Sequence, residues 1–261
     1  ITLVGLGAAI MTVSVYAAQN VYHMFPPTLA LIFFAIIMIL TSAISLKHKV
    51  LSLAVAGLVI GGLAPVLIGS TEKSIFGLYS YLMAITIGTL WIARYSKWRV
   101  LTFLSLIIVT IYSIEYFVTG FNSVQNLLTP NELFQLQFFA VTFASIYFFA
   151  SLASLITNVK PAAIDLVVAG AVGLFTFAWI NALIPPEYKS ITTMAASLFY
   201  AFASYGVFIK TKVKAGVYVY SAVATILLAI ATAFEFEGPA LIIAFSLQAL
   251  LLPILGISLL G

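Results

Sequence analysis

The sequence predicts an all-α polytopic membrane protein with about ten transmembrane spans. Of its 261 residues, 64% are hydrophobic and only 7% are charged, and the mean hydropathy is +1.21. A soluble domain carries about 25% charged residues, so this supply cannot build a surface that faces water. The apolar runs are continuous, whereas a transmembrane barrel would alternate apolar and polar residues. The absence of cysteine excludes a disulfide framework and thiolate metal sites.

The segment 57–99 shows the scheme on which the chain is built. An apolar run ends at the polar residues 69–73, and a second run ends at three basic residues. Each run approaches the roughly 20 residues needed to cross the hydrocarbon core, so the segment is predicted to be a transmembrane hairpin. The same reading predicts a long loop at 120–131. The predicted spans are 1–22, 28–46, 50–69, 74–93, 100–119, 132–157, 161–184, 190–209, 215–234 and 238–260.

The basic residues follow the even-numbered spans. Only Lys73 and Lys189 fall in the other loops. Because short loops rich in lysine and arginine stay in the cytoplasm, this side and both ends of the segment are expected to be cytoplasmic. The basic loop residues are Lys47, Lys49, Arg94, Lys97, Arg99, Lys160, Lys210, Lys212 and Lys214.

A spacing of 115 residues hints at an internal duplication. It relates Glu72 to Glu187 and Lys97 to Lys212, and it would make 57–118 and 172–233 similar three-helix units. An even number of spans separates equivalent helices, so such repeats would be parallel across the membrane. The spacing could also follow from the membrane thickness alone. The chain begins and ends inside apolar runs, and we expect it to be a fragment of a longer protein that forms a single transmembrane region.

Two ionisable residues fall inside spans, Glu115 and Asp165. Such groups are costly in hydrocarbon, so each is a candidate for proton or cation coupling. Both also lie within about two turns of a predicted span end, where a carboxylate can reach water and where Lys160 could pair with Asp165. The two interpretations stay open.

Other polar and small residues favour helix packing. Asn181 and Gln248 can form interhelical hydrogen bonds. Gly57 and Gly61 give a face of small residues for close approach of helices, and Pro65 is expected to kink or end its helix.

Several segments resemble a known family. They are LGAAIMTVSVYAAQNVYHMFPPTLAL, GLVIGGLAPVLIGS, ARYSKWRVL and ATAFEFEGPALIIAFSLQAL. Together they are similar to the bacterial "predicted membrane protein" family called domain of unknown function 2339. The chain departs from the family pattern at Phe245 and Gln248, where members usually have tryptophan and glutamate. The resemblance implies a long multispan protein and no particular activity.

The motifs of hydrolases, metalloproteases and nucleotide-binding enzymes are absent from the sequence, so no catalytic residue, cofactor or metal is predicted. The first hypothesis is a non-catalytic scaffold or accessory subunit of bacterial envelope machinery in the cytoplasmic membrane. The alternatives are a transporter or flippase for a lipid-like substrate, and an enzyme acting on lipids through Glu235, Glu237 and the 120–131 loop. The expected partners are membrane lipids and other membrane-protein subunits, and not nucleic acid.

Overall fold

A computed structural model describes residues 2–69, 74–157, 162–211 and 214–260. These residues form helices and no strands, which confirms the all-α prediction. The helices are α1 Thr2–Asn20, α2 Pro27–His48, α3 Leu51–Ile68, α4 Ile75–Ser96, α5 Arg99–Leu127, α6 Pro130–Thr157, α7 Ala163–Leu183, α8 Pro186–Thr211, α9 Lys214–Glu235 and α10 Gly238–Leu260.

Nine helices in the described part of the chain, α1 to α9, contain a stretch long and apolar enough to cross a membrane. The tenth predicted span coincides with α10, in which Gly238–Leu250 forms a shorter apolar stretch. The polytopic prediction is therefore confirmed. Its physical basis is simple, because a helix satisfies its own backbone hydrogen bonds while presenting apolar side chains to lipid.

The predicted loop at 120–131 is wrong for most of its length. Helical structure resumes after Gly120 and continues to Leu127, and α6 begins at Pro130. Gly120 has φ 70° and ψ 170°, a conformation that breaks α5 and that glycine adopts without strain. The polar residues of this segment give it the composition of a loop, although it forms a short helix. Val124 of this short helix is buried.

The described residues fall into two compact units. Unit 1 lies within Ile1–Ser113 and Phe134–Phe139, and unit 2 lies within Ile114–Leu133 and Ala140–Gly261. The core of unit 1 joins α2, α3, α4 and α5 through Met38, Leu58, Ile85 and Leu101.

Unit 2 has its core around α8 and α9. Tyr200 and Val207 of α8 pack with Tyr220 and Leu227 of α9, and Leu155 of α6 joins them.

Three serine side chains of α8 donate hydrogen bonds to backbone carbonyls of α9. The bonds run from Ser190 to Ala231 (3.2 Å), from Ser197 to Ala224 (2.7 Å) and from Ser204 to Val217 (3.1 Å). We call these three bonds the serine ladder.

Candidate functional site

The glycine face of α3 lies against α2. A Cβ atom added to Gly61 would stand 2.7 Å from the Sδ atom of Met38, and one added to Gly57 would clash with the Oγ1 atom of Thr41. At both positions an added side chain would enter space that side chains of α2 already occupy. Gly62 makes a similar contact with Ile108 of α5.

Pro65 lies inside α3, and the helix continues through it to Ile68. Proline has no N–H, so the carbonyl four residues earlier, that of Gly61, loses its usual helical partner. The hydroxyl of Tyr81, on α4, donates to this carbonyl at 2.9 Å. A side chain from a neighbouring helix thus replaces the missing backbone bond.

Two more side chains complete this arrangement. The hydroxyl of Tyr112, on α5, donates to the Gly62 carbonyl at 2.6 Å. The Nδ2 atom of Asn20, on α1, donates to the Leu67 carbonyl at 2.7 Å. We call Pro65 with Asn20, Tyr81 and Tyr112 the Pro65 site. Of the three donors, Tyr81 satisfies the carbonyl that Pro65 frees, while Tyr112 and Asn20 bond to carbonyls on either side of the proline.

Glu115 lies on an exposed position of α5, just before the Gly120 break. Its backbone carbonyl accepts a hydrogen bond from the Thr119 hydroxyl at 2.9 Å. The charges of Glu115 and Glu132 both act on Tyr116. The Glu132 carboxylate accepts bonds from the Thr129 N–H (2.8 Å) and hydroxyl (2.7 Å), and it therefore caps the start of α6.

Asp165 is buried near the start of α7. Its carboxylate accepts hydrogen bonds from the Ser154 hydroxyl at 2.7 Å and from the Ala162 N–H at 3.1 Å. An aspartate in the first turn of a helix satisfies a free backbone N–H and interacts favourably with the helix dipole. Through these contacts Asp165 stabilises the start of α7 and ties it to α6. Its predicted partner Lys160 lies outside the described residues.

Asn181 receives a hydrogen bond from Lys189, whose Nζ atom lies 2.9 Å from the Oδ1 atom of Asn181. The same ammonium group lies 5.9 Å from the centre of the Phe234 ring, within the range of a cation–π interaction. The expectation that Lys189 lies in a loop is wrong, because α8 begins at Pro186. We call Asn181, Lys189 and Phe234 the Lys189 site.

Gln248 of α10 donates to the hydroxyl of Thr232 on α9. The Thr232 hydroxyl in turn donates to the Leu228 carbonyl at 2.8 Å. Gln248 therefore ties α10 to α9 by an interhelical hydrogen bond. Both predicted residues are thus linked to the last turns of α9. Asn181 is linked through Lys189 to Phe234, and Gln248 is bonded to Thr232.

The described basic residues lie at helix ends. Lys49 and Lys97 have positive φ angles of 55° and 61° and form the C-caps of α2 and α4, where a cation suits the helix dipole. Helices joined by short connections reverse direction, so the α2–α3 and α4–α5 connections lie at one end of unit 1. The other described members are Lys47, Arg94, Arg99, Lys210 and Lys214, and Lys160 and Lys212 lie outside the described residues.

The comparison with family models decides the family. The model described as predicted membrane protein (DUF2339) matches residues 1–258. The chain belongs to this family. No curated protein and no solved structure matches it. The DUF2339 description agrees with the spans in the structure and names no activity.

Sequence reasoning about this DUF2339 chain missed the Pro65 site, the serine ladder and the Lys189 site. A donor such as Tyr81 could have been sought from Pro65, because a proline inside a span frees the carbonyl four residues earlier. Asn20, which bonds to the Leu67 carbonyl, has no such signal. The serine ladder had a plainer signal, since Ser190, Ser197 and Ser204 are spaced by seven residues. A seven-residue period keeps side chains facing one partner helix.

Proposed function

We propose that this DUF2339 chain is a multispan protein of the bacterial cytoplasmic (inner) membrane that acts as a non-catalytic scaffold or accessory subunit of envelope machinery. The proposal is supported chiefly by how polar side chains in the spans are used. Most of the described ones bond to the protein's own backbone or to one another, and the outward surface of the helices is rich in large apolar side chains.

Many of the hydroxyl groups follow this rule. Thr110 donates to the Leu106 carbonyl (2.7 Å), and Thr176 donates to that of Val172 (2.8 Å). The Pro65 site and the serine ladder commit further donors to backbone carbonyls of neighbouring helices. Groups occupied in this way hold helices together and are poorly placed to follow a polar solute across the membrane.

The outward surface offers large apolar side chains. On α8, Phe199 and Phe202 are 67% and 72% exposed. On α6, Phe138 is 56% exposed. Such a surface suits lipid acyl chains and the apolar helices of other membrane proteins, which are the partners we propose.

Photocrosslinking tests the scaffold proposal. Benzoylphenylalanine is introduced at Phe199, Phe202 or Phe138 in the full-length protein, and cells are irradiated. A scaffold should give a protein adduct of defined mass at one face and lipid adducts at the others. Lipid adducts alone at every exposed position would contradict the proposal.

We also propose that the basic helix connections face the cytoplasm, as the positive-inside rule predicts. The chain has no cysteine, so single cysteines can be introduced without a background. Cysteines at Lys49 and Lys97 should react only with reagents from the cytoplasm, and one at Glu187 only from the outside. Labelling of Lys97 and Glu187 positions from the same side would overturn this topology.

A second candidate function is a transporter or flippase for a lipid-like substrate, and the Pro65 site favours it. Spans interrupted by glycine or proline mark the substrate sites of many transporters. Reconstitution with a fluorescent phospholipid tests this function. Faster exposure of the lipid to an impermeant quencher in protein-containing vesicles would favour the flippase over the scaffold.

A further inference from the structure

The Lys189 site has unused hydrogen-bond donors. A lysine ammonium has three N–H groups, and one of them is directed to the Asn181 Oδ1 atom. The Asn181 amide brings two more N–H groups beside the ammonium, and no acceptor for them lies among the described residues. The site therefore places one positive charge and several free donors together, which is the pattern that suits an oxyanion.

The Lys189 site lies near the ends of three predicted spans. Asn181 is two residues from the end of α7, Lys189 is the fourth residue of α8, and Phe234 is the penultimate residue of α9. In a membrane of ordinary thickness, the ends of spans reach the level of the lipid phosphates. An ammonium at this level is positioned to meet them.

An apolar wall continues inward from the charge. Phe177 of α7 stacks on Phe234 with ring centres 6.5 Å apart, and Phe177 lies one turn deeper in α7 than Asn181. Phe234 is 41% exposed, so this wall is open to the surroundings. A ligand with an anionic head and a hydrocarbon tail would match both parts.

The ammonium is also fixed before any ligand arrives. The Asn181 bond and the Phe234 ring hold Lys189 in place, and Ser190 ties the same turn of α8 to α9 through the Ala231 carbonyl at 3.2 Å. A lysine that is already ordered loses less side-chain entropy when it binds a ligand.

The surrounding charge limits which anion can bind. Glu187 lies two residues before Lys189, and Glu235 directly follows Phe234, with both glutamates exposed. Two nearby carboxylates repel a dianion more strongly than a monoanion. A phosphodiester, which carries one negative charge, is therefore favoured over free phosphate.

From these contacts we propose that the Lys189 site binds the phosphodiester headgroup of an anionic phospholipid, with its acyl chain along Phe177 and Phe234. Lys189 and Asn181 donate to the phosphate oxygens, and the two rings contact the hydrocarbon chain. This binding site goes beyond the proposed scaffold function and does not depend on it.

Native mass spectrometry of the full-length protein in phosphatidylcholine nanodiscs containing phosphatidylglycerol tests the site. Wild type should retain phosphatidylglycerol, and Lys189→Gln should bind it about fivefold more weakly, the effect of about one lysine near a membrane surface. Lys210→Gln, at the other end of α8, is the matched control: it removes the same charge but leaves Asn181, Phe177 and Phe234 with their lysine, so it should weaken binding less than Lys189→Gln.

A second variant covers a possible folding defect in Lys189→Gln. Asn181→Asp keeps an acceptor for Lys189 and strengthens it to an ion pair, yet it places a negative charge against the phosphate, so lipid retention should fall while the protein stays folded. Equal retention in wild type, Lys189→Gln and Asn181→Asp would overturn the proposal. Displacement of the lipid by millimolar inorganic phosphate would also overturn it, since the site would then bind a free anion.

Discussion

The α2–α3 pair of unit 1 and the α8–α9 pair of unit 2 solve the same packing problem with different chemistry. At α2–α3, Gly57 and Gly61 remove side chains from the contact, and the Thr41 hydroxyl bonds to its own helix at the Ile37 carbonyl (2.8 Å). At α8–α9, serine hydroxyls cross the contact to the opposite backbone.

The difference shows what holds helices together where lipid surrounds them. Lipid tails are as apolar as leucine, so burial of apolar side chains gives no net drive for association. The α2–α3 pair depends on shape, because the two glycines leave room for the Thr41 and Met38 side chains of α2. The α8–α9 pair depends on hydrogen bonds at a seven-residue period. A change of volume should therefore damage the first pair most, and loss of a hydroxyl the second.

The largest effect is expected for Gly61→Leu in α3. Its side chain would enter the space of Met38, and forcing the helices apart should cost about 3 kcal/mol of unfolding free energy, near the upper end for overpacked cores. Thermal unfolding in nanodiscs measures the loss. Gly88→Leu is the control, because a Cβ at Gly88 meets nothing within 4 Å. Equal melting temperatures for both variants would show that the α3 glycine face is not under packing constraint.

A smaller effect is expected at the tyrosine hydroxyls, and it sharpens the contrast. Tyr81→Phe leaves the Gly61 carbonyl, which Pro65 deprives of its helical partner, without a donor, and this should cost about 2 kcal/mol. Tyr220→Phe in unit 2 removes a 2.8 Å bond to Ser151, but the Ser151 hydroxyl still reaches the Phe148 carbonyl at 2.9 Å. That variant should lose only about 0.5 kcal/mol. Chemical denaturation of both proteins compares the two, and a larger loss for Tyr220→Phe would refute the reasoning.

The smallest effect is expected from single serines. Ser197→Ala removes one interhelical bond of the serine ladder and should cost about 0.6 kcal/mol, the average for such bonds in membranes. Ser96→Ala removes a bond to the Ile92 carbonyl of its own helix and should cost less. Adding Ser204→Ala to Ser197→Ala should roughly double the loss. Equal melting temperatures for Ser197→Ala and Ser96→Ala would show that the hydrogen bonds of the serine ladder do not add to stability.

The same comparison bears on the possible duplication of 57–118 and 172–233. A shift of 115 residues places α2 and α3 on α6 and α7, and it places α8 and α9 on α4 and α5. The glycine contact and the serine ladder thus fall on different helices of the proposed repeat. The duplication stays a prediction, and superposition of the two segments in an experimental structure would test it.

The sequence by itself determined the helices and most of their ends. Continuous apolar runs of about 20 residues must cross the hydrocarbon as helices, since a single segment satisfies its own backbone there only as a helix. Charged residues such as Lys47 and Lys97 mark where a run must stop. The short helix at 121–127 escaped prediction because polar residues near a membrane surface give no apolar period, and Gly120 reads as a break.

Only the tertiary structure decided how the polar residues are used. Nothing along the chain says that Tyr81 and Tyr112 would reach carbonyls beside Pro65, or that Lys189 would lie between Asn181 and Phe234. Their sequence separations range from 8 to 50 residues. In a chain whose spans are almost uniformly apolar, hydropathy cannot choose which helices pair. That choice depends on the fit of particular side chains, such as Gly61 against Met38 and Ser197 against the Ala224 carbonyl, which exists only once the helices have packed.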